Sequence, residues 1–507
     1  MDPFATVALL ATVFMLSIVW MIKKTSKEAP PLPPGPRGLP ILGYLPFLHE
    51  NLHIQFTELA HKYGPIYKFK LGNKLCMVIS SPSLVKEVVR DHDTVFANRD
   101  APIAALIASY GGNDVVWTDY DSHWRMMRKI FSREMLSNSN IEGSYHLRRG
   151  EVRRALRDVY SKIGTPVDVG QVTFFIELNV IMSMIWGSTI EGAKRDRIGE
   201  EYWGVVSKLV DLLGKPNVSD YFPGLARFDV QGIAKEMKGY VQCVDRIVDE
   251  VVKERMGMAE NGKIDQGKKD FLQTLIDLKE SRNAETSINM TELRALLMDT
   301  VVGGTDTTST IIQWVMAELL NHKEKLHKVQ KELSDLIGLS TVVEESHLPK
   351  LRYLDAVVKE TLRLHPAVPL LLPRRPSQSC VVGGYTIPKH ATVFLNVWSI
   401  QRDPSLWDNP LEFNPERFLN GTDQEWDFHG NNFQYAPFGS GRRVCAGVAL
   451  AERTLMYILA SLLHSFEWRL PDGEDVDMAE KLGLVLRKSQ PLIAIPTPRL
   501  CGEGLYV

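Results

Sequence analysis

The sequence predicts a mainly α-helical protein with a small β-sheet portion, preceded by an N-terminal transmembrane helix. Three observations support this prediction. An almost unbroken apolar run covers residues 4–22. Short runs of alternating polarity at residues 66–71 and 76–79 flank Gly72, which is typical of a β-hairpin. Longer stretches with the helical spacing of apolar residues follow at residues 244–255, 291–320 and 354–364.

The N-terminal apolar run has the length of a membrane-spanning helix, which needs about twenty residues. It is followed by Lys23, Lys24 and Lys27, and the positive-inside rule then places the rest of the chain in the cytosol. A cleaved signal peptide is the alternative. In a signal peptide, however, basic residues precede the apolar stretch and a small-residue cleavage site ends it. We therefore predict a retained membrane anchor at residues 1–22.

A basic, proline-rich hinge is predicted at residues 23–43, because its prolines cannot continue a helix and favour stiff extended backbone. Beyond Gly43 the sequence has no repeat and no second linker, so residues 44–507 are predicted to form one catalytic domain. The charged stretch at residues 260–270 is predicted to be a surface loop.

Charge and cysteine content exclude some classes of protein. The 507 residues carry a formal net charge of −2, and nucleic-acid binding would need a basic surplus. The five cysteines are odd in number, scattered and without a CxxC pair, which indicates a reducing compartment and no disulfide framework.

Cys445 lies in a segment of unusually specific spacing. Residues 438–447 read FGSGRRVCAG, which matches FxxGxRxCxG, and an amphipathic helix is predicted to follow. Sulfur binds iron as a thiolate, and the N–H groups at a helix N-terminus favour that negative charge. A lone cysteine is otherwise most often a small buried hydrophobe. The five spaced matches make that alternative a poor explanation.

This segment resembles the haem-thiolate loop of cytochromes P450. The resemblance implies the cytochrome P450 fold and haem b, with Cys445 as the iron ligand. It also implies that Phe438 covers the sulfur, that Arg443 pairs with a haem propionate, and that Gly441 and Gly447 let the backbone approach the macrocycle. Thiolate ligation favours cleavage of the O–O bond.

A second candidate site is the sequence GGTDTT at residues 303–308, inside a predicted helix. Its residue types are poor choices for a helix interior. If the Thr307 hydroxyl donates to the Gly303 carbonyl, the turn loosens and the groove would hold dioxygen and a water. Thr307 would then donate a hydrogen bond to oxygen, and Asp306 would relay protons from solvent. This resembles the acid-alcohol pair of cytochromes P450, although the threonines would otherwise be read as backbone caps.

Further residues match family positions around the cofactor. Trp124 and Arg128, four apart on one helix face, resemble the WxxxR that contacts the haem propionates. Arg99 and Arg374 match two other propionate-binding positions. Taken singly, each arginine would be read as a surface charge. The ExxR segment at residues 360–363 and the PERF segment at residues 415–418 resemble those that form the family's buried cluster behind the haem. We expect the cluster to have a structural role, with Glu360, Arg363 and Arg417 as its members.

The order of these motifs resembles that of plant microsomal P450s of the biosynthetic type. Segments 214–220, 228–232 and 301–305 resemble the group with cadinene-type sesquiterpene hydroxylases and flavonoid hydroxylases. The resemblance implies an endoplasmic reticulum membrane protein with a single span and a cytosolic catalytic domain. It also implies NADPH-cytochrome P450 reductase as electron donor. Three basic residues would form a positive patch for that acidic partner, unless they are merely solvated: Arg125, Lys129 and Arg442.

Apolar segments 101–108, 367–372 and 482–486 fall where the family lines its substrate cavity. An apolar cavity suits a terpene better than a polyphenol, whose hydroxyls need partners. We therefore expect a monooxygenase of secondary metabolism that uses O2 and NADPH-derived electrons to hydroxylate a small apolar plant metabolite. A sesquiterpene or other terpenoid is the expected substrate. A flavonoid hydroxylase of the same mechanism is the alternative.

Two other classes of function remain open from the sequence. One is a P450-fold lyase or isomerase that rearranges a peroxide without a reductase, and the other is a haem carrier or sensor without turnover. Asp306 and Thr307 argue against the lyase, because that chemistry needs no proton relay. NADPH consumption that rises with a substrate separates a monooxygenase from both.

Overall fold

The computed structural model of the protein describes residues 30–187, 192–260, 270–281, 287–419 and 426–506. The predicted anchor at residues 1–22, the start of the hinge and the predicted loop between Glu260 and Asp270 lie outside these residues. Among the described helices, Val169–Trp186 alone is long and apolar enough to cross a membrane, judged by length and composition. Because 72% of it is buried inside the protein, its apolar side chains fill the core.

The described residues are mainly α-helical, as the sequence predicts. The helices of the first half are α1 Leu52–Tyr63, α2 Pro82–Lys86, α3 Ile103–Ala108, α4 Ser122–Ile130, α5 Asn138–Gly143, α6 Tyr145–Tyr160, α7 Val169–Trp186, α8 Gly192–Gly214 and α9 Val218–Tyr221. Those of the second half are α10 Ile233–Glu260, α11 Phe271–Glu280, α12 Met290–Asn321, α13 Lys323–Ile337, α14 Arg352–Leu364, α15 Val397–Ile400 and α16 Val448–Ser465. The three helical stretches predicted from periodicity lie within α10, α12 and α14.

The strands form several small sheets. They are β1 Ile66–Leu71, β2 Lys74–Ile79, β3 Asn98–Arg99, β4 Val167–Asp168, β5 Arg374–Arg375, β6 Cys380–Val382, β7 Tyr385–Ile387, β8 Thr392–Leu395, β9 Phe466–Arg469, β10 Glu480–Leu482, β11 Leu486–Lys488 and β12 Ile493–Pro498. The largest sheet has the order β1-β2-β8-β5-β3. A second has the order β4-β12-β9, and β6-β7 and β10-β11 are separate two-stranded ribbons.

The predicted hairpin is confirmed. Strands β1 and β2 pair antiparallel from Ile66 opposite Ile79 to Leu71 opposite Lys74. The turn between them contains Gly72 with φ of 55°, a left-handed conformation that glycine adopts without strain. Strand β8 then pairs parallel to β2 across the middle of the sheet, a long-range connection that no local sequence pattern indicates.

Helix α12 runs through the centre of the helical part and packs against α7, α14 and α16. A capping box sets its start. The Asn289 side chain accepts from the Glu292 N–H at 3.0 Å, and the Glu292 carboxylate accepts from the Asn289 N–H at 2.7 Å. These bonds satisfy donors that a helix N-terminus leaves free. Packing on several sides lets the helix tolerate poor helix formers in its middle.

The buried cluster expected at Glu360, Arg363 and Arg417 is present. The Arg363 guanidinium donates two hydrogen bonds to the Glu360 carboxylate, at 2.7 and 2.9 Å, and Arg417 Nε donates a third at 3.1 Å. Arg363 also donates to the Gln401 and Pro410 carbonyls, each at 2.7 Å. Removing Glu360 would leave the buried Arg363 without a counter-charge, which costs about 3–5 kcal/mol. The cluster therefore fixes the segment between α15 and the cysteine loop.

Candidate functional site

A cavity of about 320 Å³ lies among α7, α12, α16 and the loop that contains Cys445. Ten site residues are predicted from the sequence, and Trp124 is the one that does not line this cavity. The nine that line it are Arg99, Arg128, Asp306, Thr307, Arg374, Phe438, Arg443, Cys445 and Gly447.

Cys445 follows a 3₁₀ turn at Gly441–Arg443 and immediately precedes the first turn of α16. Its backbone N–H donates to the Phe438 carbonyl at 3.0 Å, which closes the loop. Its Sγ faces the cavity and accepts a hydrogen bond from the Gly447 N–H at 3.3 Å. Burial raises the pKa of the Cys445 thiol, whereas the Gly447 N–H and the Arg128 guanidinium lower it. The sulfur thus faces the cavity with an N–H donor and a cation beside it.

Gly441 is required by contacts within the protein itself. Its φ is 70°, and a Cβ at this position would lie 2.4 Å from the Val89 carbonyl oxygen. The sequence suggested a different cause, close approach to a macrocycle. That cause fits Gly447 better, because a Cβ there would meet no protein atom closer than the Cys445 Sγ at 3.8 Å.

Four guanidinium groups face the cavity, from Arg99, Arg128, Arg374 and Arg443. Each of them donates to backbone carbonyls, and among the described residues none of the four forms an ion pair with a carboxylate. Arg374 Nε has no hydrogen-bond partner although it is buried. Burial lowers the pKa of Arg374 and of Arg443 to about 10. Buried cations are normally paired, so this set fits a cofactor with two carboxylates, such as haem b with its propionates.

Trp124 lies behind this cluster rather than on the cavity wall. Its indole N–H donates to the Val115 carbonyl at 2.9 Å. The Arg443 guanidinium stacks over its ring at 4.5 Å and also donates to the Val115 carbonyl at 3.1 Å. Trp124 therefore orients Arg443. It contacts the cavity only through Arg443 and does not line the cavity itself.

The middle of α12 contains the hydroxyl-to-carbonyl hydrogen bond that the sequence suggests, within a continuous helix. The Thr307 hydroxyl donates to the Gly303 carbonyl at 2.8 Å, and both residues line the cavity. A Cβ on Gly303 would meet no atom within 4 Å, so the space beside this turn is open. A Cβ on Gly304 would lie 2.8 Å from Ile181 Cδ1, because α7 packs closely there. One glycine thus leaves room in the cavity, and the other allows the helices to pack.

Asp306 has a partner that the sequence does not indicate. Arg487, on β11, donates to Asp306 Oδ1 from Nη2 at 2.8 Å and from Nε at 3.1 Å. The other oxygen, Asp306 Oδ2, is buried without a hydrogen-bond partner. Burial raises the pKa of Asp306, and the Arg487 guanidinium opposes that shift. Because 181 positions separate these residues in the chain, no local spacing relates them.

The cavity wall is largely apolar, as expected, with contributions from Ala108, Ala367, Val368, Leu371, Leu372, Leu484 and Val485. A polar pair, Asp114 and Asp299, also lines it and was missed from the sequence. Asp114 accepts from the Trp117 N–H at 2.9 Å, and Asp299 accepts from the Val115 N–H at 2.7 Å. Burial, followed by the charge of Asp114, raises the pKa of Asp299, so the two carboxyl groups act on each other.

The comparisons with known proteins agree with this fold and site. The family model for cytochrome P450 matches residues 33–495, and the chain belongs to the cytochrome P450 family. It is 40% identical to flavonoid 3'-monooxygenase CYP75B137 of Crocosmia x crocosmiiflora, over 95% of this chain and 96% of that one. It is 37% identical to geraniol 8-hydroxylase of Catharanthus roseus, over 96% of this chain and 98% of the relative.

A solved structure of a zebrafish cytochrome P450 with abiraterone is similar, with a TM-score of 0.74 and 25% identity. The similarity covers 89% of this chain and all of the zebrafish chain. The protein is therefore a haem-dependent monooxygenase, and it uses haem b and electrons that NADPH supplies through a reductase.

The first testable prediction concerns the cavity-facing sulfur. Replacing Cys445 with Ser removes the only thiol that lines the cavity among the described residues, so the carbon monoxide complex should lose its thiolate-type absorption and activity should vanish. The control is Cys243→Ser on α10, which should keep both. Difference spectra of the reduced, carbon monoxide-treated proteins decide the outcome. A Cys445→Ser protein that retains the thiolate-type band would contradict the assignment.

Proposed function

We propose that this monooxygenase hydroxylates a small apolar plant metabolite, a sesquiterpene or other terpenoid. The observation that supports this proposal most directly is the cavity, where a largely apolar wall faces Cys445 and Thr307. Apolar side chains such as Leu371 and Val485 select a substrate by its shape. A hydrocarbon skeleton suits such a wall, because it has few groups that need hydrogen-bond partners.

The cofactor would be held from two sides. Cys445 would bind the iron through its thiolate, with Phe438 beside the sulfur and Gly447 leaving space for the macrocycle. The buried guanidinium groups would bind the propionates, and Trp124 would hold the Arg443 group in place. When bound, a thiolate-ligated haem supplies the chemistry that splits dioxygen. The protein binds the cofactor, excludes water and delivers protons.

Proton delivery is assigned to Thr307 and Asp306 in the middle of α12. The Thr307 hydroxyl lies at the cavity, where it would donate a hydrogen bond to oxygen in the groove. Asp306 would receive protons from solvent and pass them on through its free oxygen, Oδ2. A P450-fold lyase would not need this arrangement, because its peroxide substrate already contains the O–O bond.

The second prediction tests this relay. Thr307→Ala should leave haem content and substrate binding nearly unchanged while reducing equivalents go to peroxide or water. Loss of one such hydrogen bond, worth about 1.5 kcal/mol, corresponds to roughly tenfold less product per NADPH. Thr305→Ala is the matched control, because the Thr305 hydroxyl donates to the Val301 carbonyl at 2.8 Å but does not face the cavity. Equal product per NADPH in the two variants would remove Thr307 from the relay.

A flavonoid is the second candidate substrate, and a specific observation favours it. The carboxyl pair of Asp114 and Asp299 offers hydrogen-bond acceptors in an otherwise apolar wall. The relatives include three flavonoid hydroxylases and two geraniol 8-hydroxylases, whose named substrates carry hydroxyl groups. Backbone N–H groups already donate to both carboxyl groups. A terpenoid alcohol or a flavonoid would add a hydrogen bond to the pair, whereas a pure hydrocarbon would add none.

The third prediction separates these substrates. We expect Asp299→Asn to weaken binding of a hydroxyl-bearing substrate by about 0.5–1.5 kcal/mol, because the raised pKa of Asp299 favours its uncharged form and a hydrogen bond between neutral groups contributes about that much. Binding of a cadinene-type hydrocarbon should change little. The measurement is displacement of water from ferric haem across cadinene, geraniol and a flavone, followed by turnover with reductase. Asp472→Asn, whose side chain is fully exposed, is the control.

Oxidation of the flavone alone would overturn the terpenoid proposal and leave the monooxygenase class unchanged. Equal weakening of hydrocarbon and alcohol in Asp299→Asn would mean that the carboxyl pair supports the wall and does not bind substrate.

We also propose that residues 1–22 anchor the enzyme in the endoplasmic reticulum membrane, with residues 23–43 as the hinge to a cytosolic catalytic domain. The apolar run and the lysines after it support this assignment.

The fourth prediction tests the anchor. Deleting residues 1–22 while keeping the hinge should release most of the protein from membranes and leave the spectrum of the carbon monoxide complex intact, since the cavity lies far downstream. Carbonate washing of membranes from cells that express each form provides the measurement. A shortened chain that stays fully in the membrane pellet, or that takes up no haem, would contradict the proposal.

A further inference from the structure

Three elements around the cavity meet at one guanidinium group. Arg487 donates to Asp306 Oδ1 at 2.8 and 3.1 Å, and its Nη1 donates to Asp211 Oδ1 at 3.0 Å. Asp306 lies on α12 and Asp211 lies on α8. Arg487 itself is on β11. A single side chain therefore connects the central helix, the β10-β11 ribbon and α8.

The backbone around Arg487 is fixed independently of these two carboxylates. The Trp314 indole N–H donates to the Leu486 carbonyl at 2.9 Å. The Leu486 N–H in turn donates to the Ala367 carbonyl at 2.9 Å. The backbone next to Arg487 is thus held in place, and the guanidinium group reaches both carboxylates from it.

The two ends of the bridge differ in their exposure to water. The Asp306 side chain is 6% exposed, whereas that of Asp211 is 58% exposed. An ion pair at an exposed position contributes little to stability, because water screens it. The contact with Asp211 can therefore open at small cost, while the buried contact with Asp306 persists.

Helix α8 contacts the interior of the cavity on either side of Asp211. Leu209, Val210 and Leu213 line the cavity within one turn of this residue. A bound substrate would press on these three side chains. Because Asp211 belongs to the same turn, its distance from Arg487 depends on how α8 lies over the substrate.

The bridge also controls the charge of Asp306. Burial raises the pKa of Asp306, the Arg487 guanidinium lowers it, and the Asp211 carboxylate raises it. Among the described residues, these are the charged groups that act on Asp306: Arg487 from β11 and Asp211 from α8. With Asp211 beside Arg487, the pKa of Asp306 is higher than it would be beside Arg487 alone. Movement of Asp211 away from Arg487 would therefore lower the pKa of Asp306.

We propose that Arg487 is a positioning residue for the proton relay and that it couples the relay to the position of α8 over the substrate. This inference rests on the role proposed for Asp306. When α8 brings Asp211 against Arg487, both carboxylates share the guanidinium group, and Asp306 can both accept and release protons. When α8 carries Asp211 away from Arg487, Asp306 is held as a carboxylate and proton delivery is suppressed. Protons would then reach oxygen mainly when a substrate is in place.

The fifth prediction compares variants of the bridge. Product per NADPH is measured against pH for Arg487→Gln, Arg487→Lys and Asp211→Asn in the reductase-supplemented enzyme. Removing the cation should move the acid-side midpoint of this profile to higher pH by about one unit. Removing Asp211 should move the midpoint the opposite way by a smaller amount, and Arg487→Lys should restore most of the normal profile. A merely structural role would not give shifts of opposite sign.

The control is Lys481→Gln. Lys481 lies directly opposite Arg487 in the β10-β11 ribbon and is exposed, so this change removes a positive charge from the same ribbon without touching the bridge. A second measurement does not depend on turnover. Hydrogen-deuterium exchange with substrate bound should be faster in α8 residues 205–214 for Arg487→Gln and Asp211→Asn than for Lys481→Gln.

The outcomes separate this inference from the relay itself. If Arg487→Gln has the same pH midpoint as Lys481→Gln, or if Arg487→Gln and Asp211→Asn shift it in the same direction, the coupling is refuted. If Asp306→Asn makes as much product per NADPH as the unaltered enzyme, the relay assignment fails. A deficient Asp306→Asn together with an unshifted Arg487→Gln would overturn the coupling alone.

Discussion

The buried carboxylate of Glu360 is the interaction on which the geometry of the site depends. It neutralises Arg363 and Arg417, and Arg363 then binds the carbonyls of Gln401 and Pro410. The Gln401 side chain accepts from the Ala436 N–H at 3.2 Å, which ties this network to the segment just before the cysteine loop. A charge buried this deeply tolerates few alternative arrangements, because losing any partner leaves it unsatisfied. The network therefore holds the loop in one position against α16.

Around that fixed loop, charge is distributed unevenly over the cavity. The side with Arg374 and Arg443 has cations without carboxylate partners, which suits the propionates of the cofactor. The carboxyl pair of Asp114 and Asp299 lies next to this cluster, since burial lowers the pKa of Arg99 and of Arg443 and the charge of Asp114 raises it. Apolar side chains line much of the remaining wall. One enclosed space can thus bind an anionic cofactor at its basic end and a mostly apolar substrate along the rest of the wall.

Helix α12 reconciles two conflicting requirements. It has to pack tightly against α7, which Gly304 permits, and it has to open toward the cavity, which Gly303 and the Thr307 back-bond permit. Asp306 lies between these positions, where burial opposes its charge and Arg487 supports it. A carboxyl group balanced in this way can change its protonation state when a neighbouring charge moves. The same turn thereby connects helix packing with proton delivery.

Local features of the protein could be predicted from neighbouring residues in the chain. The hairpin at β1 and β2, the long helices and the cysteine loop all follow from spacings within a few residues, where backbone conformation and side-chain type are directly linked. The Thr307 hydroxyl and Gly303 carbonyl are another such pair, four residues apart on one helix. Nine of the ten predicted site residues line one cavity because recognisable motifs carry them.

Tertiary structure alone decided the contacts between distant segments. Trp124 lies behind Arg443, Asp114 meets Asp299, and Arg487 joins Asp306 to Asp211 across three elements. Such contacts depend on how helices and strands pack, and packing is set by the whole core rather than by any local spacing. Gly441 illustrates the difference. The motif predicts a glycine at this position, but only the fold shows that a side chain here would collide with the Val89 carbonyl oxygen. Residue types could therefore be predicted from the chain, while the partners that set their charge and orientation could not.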